Sequence, residues 1–218
     1  MSAERLPRVV AACAAGERSR EQATAVAGQT AALARTMAIE PSLEAACASG
    51  AELVWLLQGG AVPAPDALGR LLDAARGPLA PPIVAGLVLD AGGVPVDRLI
   101  PPGTQEDLEA LIAGAAGRWM PIRHATETHV LLARRAIDEH GLPDRAALGP
   151  HAFSAWSRRV LREETGRLVP SSRATLPPGP GAGLATGVRD VPATLRMART
   201  GLWTTGEKIR AFRALARS

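Results

Sequence analysis

At 218 residues and 47% hydrophobic content, the chain is long enough for one domain with a substantial core and too short for two comfortable ones. Aromatic residues make up 3% and tyrosine is absent, so the core must be built from Ala, Leu and Val around Trp55, Trp119, Trp156 and Trp203. The net charge of +4 rests almost wholly on arginine, which reads as compositional bias rather than a nucleic-acid surface, while the planar guanidinium fork stays compatible with a nucleotide diphosphate.

Cys13 and Cys47 lie in Ala-rich segments without metal-ligand spacing, so they read as buried thiols in a reducing cytosol, with neither a disulfide framework nor a zinc site. No stretch approaches the ~20 apolar residues that cross a bilayer. Charges at Glu4, Arg5 and Arg8 leave no signal-peptide core. A cytoplasmic protein is expected, at most peripheral to the inner membrane face.

In chain order, residues 7–12 (PRVVAA) fit a first buried strand, and residues 17–39 carry apolar positions at mixed helical spacing with many alanines. Ser42 caps a short helix over 43–48 that stops at Gly50. Residues 52–57 (ELVWLL) are continuously apolar, as in a central strand covered on both faces, and Gln58, Gly59 and Gly60 end it abruptly. In open α/β sheets, ligand loops lie at such strand ends. Pro65 and Asp66 start a helix over 67–76, and residues 81–89 (PPIVAGLVL) form another buried strand.

Residues 90–93 are a turn, 104–113 a capped helix, 129–133 (HVLLA) a strand, and 134–140 a helix stopped by Gly141. A helix over 153–164 precedes a short strand at 167–169. A Pro/Gly-rich linker follows over 177–191, then a basic amphipathic tail over 192–218. The alternation predicts an α/β fold with a mostly parallel sheet.

Two stretches carry a family likeness. SLEAACASGAELVWLLQGGAVPAPDALGRLL (residues 42–72) resembles the family-2 glycosyltransferase segment in which a strand of the type xWVLFLDDD leads into xxPxPDALxRL. LLARRAIDEHGLPDRAALGPHAFSAWSRRVLREETGRLVP (residues 131–170) resembles the family stretch with GLPD followed by an acidic pair and EWSxR. Together they cover about a third of the chain. The resemblance implies a GT-A-like three-layer sandwich over residues 1–176, with a central, mostly parallel sheet and helices on both faces. It also implies descent from enzymes that move a sugar from a nucleotide-diphosphate donor to an acceptor hydroxyl.

In the family, acids after the first of these strands hold Mg²⁺ or Mn²⁺ against the donor diphosphate. Here Gln58, Gly59 and Gly60 occupy those positions, so no metal site of the family type is expected, and the three are kept as a degenerate donor-phosphate position. The later acidic pair, which supplies the family's general base, is matched by Ala152, Phe153 and Ala155; none accepts a proton, and His151 is the one neighbouring imidazole. The family's second strand, which ends in an Asp-rich turn at the nucleoside, finds no room before Ser42. The resulting expectation is an inactive or strongly altered transferase, or a scaffold partnering an active glycosyltransferase.

Three weaker signals remain. Residues 179–187 (GPGAGLATG) match a phosphate loop in composition only and read as linker. His124, Glu127 and His129 suggest metal ligands, but an extended segment would put the two imidazoles on opposite faces. The tail over 192–218 interleaves arginines with Leu, Trp and Phe, which suits an anionic membrane surface.

Overall fold

The computed structural model describes residues 7–13, 20–32, 38–77, 79–96 and 119–177, together with Met197 and Arg199. The elements in chain order are β1 (Val9–Ala12), α1 (Arg20–Ala32), β2 (Ala38–Glu40), α2 (Leu43–Ala48), β3 (Leu53–Leu57), β4 (Val62–Pro63), α3 (Ala67–Ala74) and β5 (Ile83–Leu89). They continue with β6 (Met120–Ile122), β7 (His129–Ala133), α4 (Arg134–His140), α5 (Arg145–Leu148), a 3₁₀ turn (Gly149–His151), α6 (Ala152–Val160) and β8 (Gly166–Thr175).

The sheet runs β2-β1-β3-β7-β5-β8-β4, with β6 also paired to β8. β2, β1 and β3 are mutually parallel, as are β5 and β8, while β7 runs antiparallel between β3 and β5. One register row crosses the sheet through Glu40, Ala12, Leu56, Val130, Ala85 and Leu168.

Because successive strand side chains point to opposite faces, each central strand feeds two cores. Val10, Ala12, Val54, Leu56, Val130, Leu132 and Ala85 pack with α2, α4 and α6 through Ala46, Ile137, Phe153 and Trp156. Val9, Ala11, Trp55, Leu57, Leu131 and Val84 pack with α1 and α3 through Val26, Leu68, Leu71 and Leu72. The expected three-layer architecture, a mostly parallel sheet with helices on both faces, is the one observed.

Several local readings need correction. The helix expected over 17–39 is α1 alone in its described part, and Ala38, Ile39 and Glu40 form β2. A second strand, for which the sequence reading leaves no room, is therefore present and pairs with β1. It escapes a periodicity reading because three residues in an Ala-rich context show no alternation. The strand expected at 167–169 extends over ten residues as β8, and α6 stops at Val160 rather than 164.

Other expectations hold. Ser42 Oγ accepts from Ala45 N at 3.2 Å as the N-cap of α2. β7 and α4 have the expected limits, and Cys13 and Cys47 are buried. The helix over 104–113, the glycine-rich stretch over 179–187 and most of the linker and tail lie outside the described residues. Of the tail, Met197 is helical and fully buried, and Arg199 is helical and exposed.

Candidate functional site

The ends of β1, β2 and β3 define the sheet edge where ligands sit in folds of this kind. At the end of β3, the chain turns through Gly59 and Gly60 at φ of 66° and 72°, closed by Ala61 N donating to Gln58 O at 3.3 Å. Positive φ at both central residues is the signature of a type I′ turn, which explains the glycine pair in backbone terms.

Four fastenings then hold the segment from this turn to α3. Gln22 of α1 donates from Nε2 to Ala61 O at 2.9 Å and, more weakly, to Leu57 O at 3.5 Å. Gln29, two turns further along α1, donates to Ala64 O at 2.6 Å and accepts from Leu68 N at 3.0 Å. Leu68 N is one of the orphan first-turn donors of α3; Asp66, at the N-cap position, makes no side-chain cap and pairs with Arg70 instead. Gln29 thus performs the capping from another helix. Val62 and Pro63 pair with β8, and Ala64 N donates to Arg173 O at 2.9 Å.

A fourth fastening comes from beneath. His129, opposite Leu57 on β7, is fully buried. Trp55 Nε1 donates to its Nδ1 at 3.3 Å, so the proton of the neutral ring resides on Nε2 and is donated to Ser172 Oγ at 2.9 Å. Ser172 Oγ in turn donates to Ala67 O at 2.8 Å, at the start of α3. Burial pushes the His129 pKa down to about 3, so the ring stays neutral at ordinary pH. The polarity is the reverse of a Ser-His nucleophile pair, because the imidazole donates to the hydroxyl instead of accepting from it.

Gly86 makes this chain of bonds sterically feasible: a Cβ there would lie 2.1 Å from His129 Cδ2 and 2.8 Å from Ser172 O. The β5 to β8 register shifts beside it, between Gly86 and Leu87, so that Ser172 falls in the irregular stretch of β8.

The sequence-derived site residues are therefore placed as follows. Gln58 is half-buried, Gly59 exposed and Gly60 buried, all in the closed turn. Ala152, Phe153 and Ala155 are core residues of α6, at most 3% exposed, with Phe153 against Trp156 at 5.5 Å between ring centroids. His151 is buried in the 3₁₀ turn before them. His129 has both ring nitrogens engaged, and Glu127 pairs with Arg145, so the structure does not bring these two together with His124 as ligands.

A divalent ion of the family type calls for anionic oxygens. The turn offers one neutral amide and two glycines, and these residues do not fit it. The carboxylate on the same register row is Glu40, two strand spacings from Leu56, which is roughly 10 Å of sheet. Among the described residues, no cluster of three or more His, Cys, Asp or Glu side chains could hold a metal.

The layer order and strand order are those of a GT-A-like α/β fold. No family model and no curated protein matches the sequence. Solved structures do. The mannosyltransferase PcManGT from Pyrobaculum calidifontis, in complex with GDP-Man and Mn²⁺, matches with a TM-score of 0.50 at 12% identity, covering 98% of this chain and 75% of that one. GalNAc-T7 with UDP, GalNAc and Mn²⁺ matches with a TM-score of 0.49 at 11% identity over 90% of this chain, which spans 48% of that enzyme. What this chain shares with the mannosyltransferase is the fold.

Proposed function

We propose that this chain is a GT-A-like domain that has lost metal-assisted sugar transfer and serves as a non-catalytic module. One observation carries the reading: the segment after β3, where the family resemblance calls for metal-binding acids, is a closed glycine turn fastened by Gln22, Gln29 and Ser172. A pyrophosphate carries several negative charges and needs counter-charge where it departs. Gln58, Gly59 and Gly60 supply none, and the positions of the family's base are taken by the core side chains Ala152, Phe153 and Ala155.

The test is release of nucleoside diphosphate from UDP- and GDP-sugars with Mn²⁺ or Mg²⁺ present. The proposal predicts release no faster than in protein-free controls. Turnover that depends on the protein and the metal, and that disappears on chelation, would overturn it.

A further inference from the structure

A concave site lies at the end of the sheet opposite the turn of Gln58, Gly59 and Gly60. Pro81 precedes β5, Thr165 immediately precedes β8, and Arg135 follows the end of antiparallel β7, so all three stand where the parallel strands begin. With Leu79, Trp119, Glu164 and Arg167 they line a groove of about 540 Å³, within the range of small-ligand sites, which is roughly 300–1,000 Å³.

Its walls are apolar and its charge is uneven. Trp119 is 46% exposed and Leu79 83%, whereas Trp55 and Trp156 are buried. Arg135 grips Glu164 two-handed at 2.9 and 2.6 Å, and that bond holds the Glu164 carboxyl below its usual range, so the pair is charge-neutral. Glu139 approaches Arg135 only to 4.0 Å and does not line the groove. Arg167 stacks on the Trp119 ring at 4.5 Å and donates to Ala74 O and Leu79 O at 2.6 and 3.1 Å. Carbonyls and a ring orient a guanidinium without neutralising it, and among the described residues Arg167 has no carboxylate partner. One positive charge is thus left against an aromatic and aliphatic wall.

We infer that this groove binds a small organic anion with a flat apolar body, the body against Trp119, Leu79 and Pro81 and the anionic group toward Arg167. The inference is independent of the donor-site reading, because the two sites occupy opposite ends of the sheet.

The experiment compares two dyes of one shape on the intact chain: 8-anilinonaphthalene-1-sulfonate and its uncharged counterpart N-phenyl-1-naphthylamine. The sulfonate should bind saturably at one site, at least tenfold tighter than the neutral dye. Trp119→Ala should weaken it tenfold or more without moving the melting temperature. Arg167→Gln should bring it to the level of the neutral dye; because Arg167 also ties two carbonyls, Glu164→Gln serves as a second variant, and by removing a negative charge it should tighten sulfonate binding. Equal affinity for the two dyes, indifference to Trp119→Ala, or no tightening in Glu164→Gln would each overturn the assignment.

Discussion

Gly86 and His129 show how a single missing side chain can decide a local architecture. The imidazole fills the space where a Cβ on Gly86 would be, and the nearest obstacles include the backbone carbonyl of Ser172, which cannot swing aside. Gly86→Ala should therefore destabilise the protein by about 3 kcal/mol, read as a lowered urea midpoint at unchanged slope. His129 gives a pH signature. Its folded pKa of about 3 lies below the roughly 6.5 of an unfolded chain, so the unfolded state takes up the proton first as pH falls. The contribution is intact above about pH 6.5 and is lost toward pH 3, at up to about 1.4 kcal/mol per unit. The difference in unfolding free energy between the wild type and His129→Gln should be flat above neutrality and shrink below pH 6. A difference independent of pH would mean that the buried ring titrates normally.

At the scale of elements, α1 acts as a strap across the segment that links β3 to α3. Its two glutamines reach the carbonyls of Ala61 and Ala64 and the amide of Leu68, and Gln29 stands in for the cap that Asp66 does not provide. Gln29→Leu leaves the buried Leu68 N–H unpaired, while Ala64 C=O keeps the Ala67 N–H, at a cost of about 1–3 kcal/mol. Hydrogen exchange at the Leu68 amide should accelerate accordingly, and an unchanged rate would show that α1 does not hold the loop. None of this was legible in the sequence, since the bonded partners stand 39, 43 and 105 residues apart. What could be read were elements whose signals are local: the apolar runs of β3, β5 and β7, the Ser42 cap, and α4 ending at Gly141. Strands of two or three residues, β2, β4 and β6, carry too little pattern and take their conformation from their neighbours in the sheet.

For the whole molecule, two apolar faces of one sheet, each sealed by helices, determine a three-layer α/β fold whatever the chemistry at its edge. The sequence reading ended β3 before Gln58, Gly59 and Gly60, as the structure does, because strand ends are marked by composition. It could not disclose that the turn is closed and strapped, because closure is a property of distant partners. On the proposed reading, fold and activity separate for a physical reason: the core depends on apolar patterning, whereas sugar transfer depends on a few charges at a strand end.

The most direct measurement is calorimetric titration of the protein with GDP-mannose and with UDP-sugars, each with and without Mn²⁺. If the strand end carries no counter-charge for a metal-bound pyrophosphate, the ion should make no difference to either isotherm. Micromolar binding that appears only when Mn²⁺ is added would contradict the account.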